Sequence, residues 1–145
     1  MESEIAYNIK GIQIINSVLK ATLTPFNSKS VFRFDVNFKT EVNFKEGRFT
    51  VLADAIIKNN ESSELVGQYT AAFHYSVDDL DKHVKNKGEA EWEMPTELLK
   101  TLLGISVSTI RGMMYEAYKG TFLGNAVLPL VDIANIQPEL SPLAT

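Results

Sequence analysis

The side chains able to do acid–base, nucleophilic or metal chemistry are few in this chain, and their spacing does not suit them to it. Two histidines occur in 145 residues and cysteine does not occur, which removes thiol catalysis, disulfides and every thiolate metal site. His74 falls in a strand-like run and His83 in a charged stretch, neither with a partner at ligand spacing. Asp79 and Asp81 begin like a calcium loop, but the sixth position is Val84 where glycine is needed and the twelfth is Ala90 where a bidentate acid belongs. Glu89 and Glu91 read as solvated charge. No Walker loop, dinucleotide glycine pattern, zinc helix or nucleophile elbow is present. The sequence thus predicts no catalytic residue, no metal and no cofactor.

The bulk numbers narrow the partners. With 45% hydrophobic and 22% charged residues the composition is that of an ordinary globular domain. A formal net charge of -4 and a pI near 5.2 argue against nucleic acid, whose binding needs a basic face to displace counterions. The opening Met1, Glu2, Ser3, Glu4 lacks the basic region and apolar core of a secretory signal, and the apolar runs fall short of the roughly 18 residues of a membrane span. The expectation is a cytoplasmic protein without membrane insertion, folded as one domain over 1–145. Pro138 and Pro142 predict an extended or disordered tail over 137–145.

The elements that must position any functional surface are legible as periods. From Ile9 to Leu23, Ile12 and Ile14 alternate against Gln13 before the phase shifts near Ile15 and Asn16, as a strand with a bulge would. Phe32, Phe34, Val36, Phe38, Val42 and Phe44 occupy even positions while Arg33, Asp35, Asn37, Lys39, Glu41 and Asn43 take the others, the mark of a strand with one dry face. Gly47 supplies a hairpin turn, and Phe49–Lys58 returns with Val51, Ala53, Ala55 and Ile57 on one face. Leu65–Val77 presents Leu65, Tyr69, Ala71, Phe73 and Tyr75 together. The prediction is a four-stranded antiparallel meander. A charged surface crossing, Asp78–Glu91, follows it and ends at the single tryptophan, Trp92, which reads as a plug for the core edge or as a binding platform.

One long α-helix completes the α+β class. Pro95 suits its first turn, Leu98, Leu99, Leu102, Leu103, Ile110, Met113, Met114 and Ala117 recur at helical spacing, and Gly120 stops it. With Ile105 and Val107 included, the apolar arc spans roughly 200°, more than one sheet covers. The remaining arc carries Gly104, Ser108 and Gly112 four residues apart, despite the helix propensity that interior glycine forfeits. That pattern predicts close approach by an internal segment or by a second subunit.

After this helix come Lys119, Gly120, Thr121, Phe122 and then Leu128, Pro129, Leu130, Val131, Asp132, Ile133. This stretch resembles the SecB protein-export chaperones, in which Ser-Arg-Gly-Thr-Phe-Pro and then Leu-Ala-Pro-Val-Asn-Phe follow an apolar helix. Ile110, Arg111 and Gly112 stand where that family has Tyr-Ala-Arg. The resemblance implies a four-stranded sheet with the long helix on one face, assembled as a dimer of dimers, a homotetramer, through sheet edges and helices. It implies unfolded polypeptide clients bound along apolar grooves, with Phe122, Leu123, Val127, Leu128 and Leu130 in a groove wall and Trp92 beside it. Ile12, Ile14, Gly104, Ile105, Ser108 and Gly112 are the corresponding expectation for subunit contacts. The family's second, C-terminal helix finds no counterpart in Pro138–Thr145, which separates this chain from the translocase-binding pattern and leaves a dedicated client, such as an antitoxin, beside general export. Two other readings remain at this stage: a small-ligand or enzymatic α+β domain with a closed apolar pocket, and a purely structural assembly subunit.

Overall fold

A computed structural model of the chain describes residues 5–20, 32–86, 92–121, 123, 128 and 139–140. Four long strands, β1 (Tyr7–Leu19), β2 (Phe32–Asn43), β3 (Arg48–Asn59) and β4 (Leu65–Val77), form an antiparallel sheet. A one-turn helix, α1 (Leu80–His83), and two short paired strands, β5 (Lys85–Asn86) and β6 (Trp92–Glu93), lead to the long helix α2 (Thr96–Tyr118). A two-residue strand, β7 (Glu139–Leu140), is added to the sheet, whose order is β1-β4-β3-β2-β7.

The antiparallel sheet under one long helix is the expected α+β architecture, but the expected four-stranded meander holds only for β2, β3 and β4 and not for β1. β2, β3 and β4 run as neighbours, but β1 pairs with β4 at the far edge instead of with β2. Alternation along a strand reports which face is dry and leaves the neighbour unspecified. The β2–β3 hairpin closes where Gly47 takes a φ of 62°, its amide bonding the Phe44 carbonyl at 3.3 Å while the Asn43 Oδ1 accepts the Glu46 amide at 3.1 Å. Asn59 organises the next turn: its Oδ1 accepts the amides of Glu61 and Ser62 at 2.9 and 3.3 Å.

Cross-strand partners share a face, so the register fixes what each strand contributes. Phe49, Val51, Ala53, Ala55 and Ile57 of β3 lie beside Tyr75, Phe73, Ala71, Tyr69 and Gly67 of β4, and this side is the core under α2. The helix buries Leu98, Leu102, Leu103, Ser106, Val107, Ile110, Met114 and Tyr118 against it. Leu99, Ile105 and Met113 are only partly buried at the flanks, which agrees with an apolar arc wider than the sheet beneath it, while Ala117 is exposed. Tyr75 joins the layers: its hydroxyl lies 2.8 Å from the Ser106 Oγ, and Ser106 in turn donates to the Leu102 carbonyl at 2.8 Å. At the helix end Tyr118 stacks edge-on against Tyr69, with ring centroids 6.3 Å apart, and donates to the Val18 carbonyl at 3.1 Å. Burial pushes the Tyr118 hydroxyl up to about 12 and raises Tyr69 and Tyr75 for the same reason.

Candidate functional site

The features that set this surface apart are apolar groups left uncovered on the helix side of the sheet. β1 breaks register with β4 twice, between Ile9 and Gly11 and between Ile14 and Asn16, so Lys10 and Ile15 are the extra residues. The second break is the bulge expected near Ile15; the first gives no alternation signal because Lys10 and Gly11 interrupt the apolar run. Each bulge shifts the phase by one residue. The result is that Tyr7, Ile9, Ile12, Ile14 and Leu19 face the same way despite changing from odd to even positions and back, opposite Val77, Tyr75, Phe73, Ala71 and Gly67. This is the face on which α2 lies. The helix packs over β3 and β4 without covering β1, and these five side chains are 41% to 57% exposed. A row of this size, at a strand edge that no other described strand pairs, is the candidate surface.

The opposite edge is graded. On β2, Phe32, Phe34 and Val36 are half-buried on the helix side, whereas Phe38, Thr40 and Val42 are buried. The outer face of α2 supplies a third region. No charged residue occurs between Lys100 and Arg111, and the solvent side carries Thr101, Gly104, Ser108, Gly112 and a Tyr115 that is 54% exposed. An exposed helical face is ordinarily charged.

The expected internal contact at the glycines is absent among the described residues: a Cβ built on Gly104 or Gly112 meets nothing within 4 Å. Close approach occurs at Gly67 instead, where a Cβ would stand 2.8 Å from the Leu123 Cδ1 and 3.3 Å from both the Tyr118 hydroxyl and the Val18 carbonyl. Gly67 lies in a strand and gives no periodic signal, so only the packing identifies it. Ser108 is exposed and Ile105 partly buried, while Ile12 and Ile14 stand in the uncovered β1 row.

Of the groove residues, Leu123 and Leu128 do not stand on an open wall here. They are 1% and 2% exposed, Leu123 pressed on Gly67 and the Leu128 carbonyl accepting from the Arg111 Nε at 2.8 Å. A short apolar residue after a helix end is drawn under it by burial of its own surface. Phe122, Val127 and Leu130 lie outside the described residues, as does the Trp92 side chain; the Trp92 backbone pairs with Asn86 in the β5–β6 ladder.

The chemistry-bearing side chains are separate from one another. His74 lies on the outer face of the sheet with its Nδ1 2.9 Å from the Thr50 hydroxyl, at the rim of a cleft of about 240 Å³ that also touches Ile15, Leu52 and Ala72. His83 lies in α1 beside a second cleft, lined by Glu93, Met94, Pro95 and Thr96. Asp54 accepts from Gln68 and Thr70 at 3.0 and 2.7 Å as a cross-strand tie. Among the described residues no three His, Asp or Glu side chains gather as a metal site, and no helix is long and apolar enough to cross a membrane.

No protein-family model matches the chain, and no curated protein sequence matches it. Among solved structures it is similar to the SecB-like chaperone of Mycobacterium tuberculosis in complex with a ChAD peptide from the HigA1 antitoxin. Identity there is 13% and the TM-score 0.59, over 87% of this chain and 90% of the other. A protein of unknown function from Streptococcus agalactiae aligns at 10% identity and a TM-score of 0.46, over 90% of this chain and all of that one. The first likeness places the four-stranded antiparallel sheet and the long helix in the SecB-like fold.

Proposed function

We propose that the chain is a chaperone without catalytic activity, which holds unfolded polypeptides against apolar surface and works as an oligomer. The observation that carries this reading is the β1 row of Tyr7, Ile9, Ile12, Ile14 and Leu19, exposed on the same side as α2. The ends of the row, Tyr7, Ile9 and Leu19, offer extended chains apolar surface without a shaped pocket, and its middle, Ile12 and Ile14, offers the same to a neighbouring subunit. The fold likeness supports the reading because that neighbour is a SecB-like chaperone bound to an antitoxin peptide. The client class is therefore a non-native polypeptide in the cytoplasm, either a preprotein awaiting export or a dedicated partner such as an antitoxin.

In this reading Ile12 and Ile14, with Gly104, Ile105, Ser108 and Gly112 on α2, meet neighbouring subunits in a dimer of dimers. The uncharged outer face of α2 is suited to that contact, since nothing there needs to be desolvated as an ion. Phe122, Val127, Leu130 and Trp92 line the client groove, and Leu123 and Leu128 support it from within the core. Light scattering of the purified protein, together with the aggregation rate of a chemically unfolded test protein, tests the proposal. The expected result is a particle near four times 16.2 kDa that delays aggregation at stoichiometric ratio. A monomer that leaves aggregation unchanged overturns it.

A further inference from the structure

The second bulge of β1 turns one apolar side chain away from the helix side. Ile15, the extra residue there, is 54% exposed and lines the cleft of about 240 Å³ on the outer face of the sheet. The ladder register supplies the rest of the cleft. Gln13, Ala72 and Leu52 are cross-strand neighbours on β1, β4 and β3, and Ala72, the shortest of the three and only 3% exposed, forms the floor. Ile15 and Leu52 add aliphatic walls, while the next outward pair along the same strands, Thr50 and His74, gives a polar one. Lys39 and Glu41, both exposed, bring opposite charges to the β2 end, so an ion of either sign gains little there and a neutral group is favoured.

The polar wall selects among neutral groups. The His74 Nδ1 lies 2.9 Å from the Thr50 Oγ1, and which of the two donates depends on the imidazole tautomer. In either neutral tautomer the ring's Nε2 takes the opposite role to Nδ1, donor where Nδ1 accepts and acceptor where Nδ1 donates. A phenol hydroxyl both donates and accepts, so it answers either state while its ring lies on the aliphatic floor. Indole only donates, and a plain benzene ring does neither. We infer that the cleft is a subsite for one phenol ring, carried by a tyrosine of a bound polypeptide; the inference rests on the chaperone reading for that polypeptide. The proposed subunit contacts lie on α2 and on the helix side of β1, so they do not occupy the outer face.

The test titrates the full chain with N-acetyl-tyrosinamide and with N-acetyl-phenylalaninamide while the methyl resonances of Ile15, Leu52 and Ala72 are followed by NMR. The tyrosine amide should shift them saturably and bind at least about threefold more tightly than its phenylalanine counterpart, the worth of one net hydrogen bond. His74→Phe keeps a ring of similar size and should abolish that preference, and Ala72→Leu should fill the floor and abolish binding of both amides, with circular dichroism confirming that each variant is folded. Two unstructured peptides that differ only by tyrosine or phenylalanine at one position should show the same preference and the same loss of it in His74→Phe. Equal binding of the two amides by the native chain, or a preference that survives His74→Phe, overturns the phenol subsite. A tyrosine peptide that gains nothing over its phenylalanine twin overturns a polypeptide as the occupant, even where the amides differ. The chaperone reading falls on a separate measurement, an unchanged aggregation rate of the unfolded test protein, so the two failures are distinguishable.

Discussion

The hydroxyls of Tyr75 and Ser106 lie 2.8 Å apart between sheet and helix, and both side chains are almost completely buried. Neither is free to exchange this bond for water, so the pair fixes where α2 sits along β4. Replacing Ser106 with Ala leaves the tyrosine only its longer 3.3 Å bond to the Leu102 carbonyl and should cost about 1 kcal/mol of stability. Tyr75→Phe should cost a similar amount. Denaturant unfolding of both single variants and the double variant checks this, and strictly additive losses would show that the two hydroxyls are not coupled.

The close approach at Gly67 yields a sharper test. Gly67→Ala places a methyl 2.8 Å from the Leu123 Cδ1 and 3.3 Å from the Val18 carbonyl, which is backbone and does not yield easily. A loss of about 1–3 kcal/mol is expected. Adding Leu123→Ala should recover part of the Gly67→Ala loss relative to Leu123→Ala alone, because it removes the nearer clash; thermal unfolding of the two single variants and the double variant measures this.

Alkaline titration addresses the other end of the helix. The Tyr118 hydroxyl, raised by burial to about 12, stays protonated in the folded chain where the unfolded chain ionises near 10. Its contribution to stability is present in full below pH 10 and is lost as pH rises from there to about 12. Tyr69 and Tyr75 shift in the same direction. Tyr118→Phe should flatten the alkaline fall in melting temperature; an unchanged fall would assign it to other groups.

Glycines 104 and 112 separate helix propensity from assembly. Because neither meets a described residue within 4 Å, Gly112→Ala should stabilise the subunit by about 1 kcal/mol through helix propensity alone. Gly112→Leu should likewise leave the subunit folded, as judged by circular dichroism, but reduce the oligomer by light scattering if the outer face of α2 is a subunit contact. An unchanged particle size would remove that face from the interface.

The β1 row is tested by charge. Ile12→Lys with Ile14→Lys, both at exposed positions, should change subunit stability by no more than about 0.5 kcal/mol each. The same pair should abolish either the oligomer or the protection of unfolded protein. Retention of both would place the function elsewhere.

How much of this was legible before the fold follows from what each signal measures. Even-position aromatics in β2 and the three-and-four spacing in α2 are local periods, and burial of one face is enough to write them. Gly47 and Gly120 are legible because their positive φ, 62° and 79°, is itself a local demand. The pairing of β1 with β4, the tightness at Gly67 and the β7 joint depend on residues far apart in the chain, and no local period encodes them. Gly104 and Gly112 show the converse: their spacing is visible, but no described residue meets either within 4 Å. The burial of Leu123 and Leu128 had a faint signal in their apolar character, which a core and a groove wall share.

The two bulges in β1 also bear on how far self-association can run. A long edge strand lined with isoleucine is the kind of template on which flat, in-register stacks of identical strands grow into fibrils. Lys10 and Ile15 each add a kink and extra twist, leaving only the short run from Gly11 to Ile14 regular between them. A neighbouring strand can follow the edge past them only by shifting register at each, as β4 does on the inner side. The same insertions that gather the apolar side chains on one face thus work against flat, in-register stacking of identical edges.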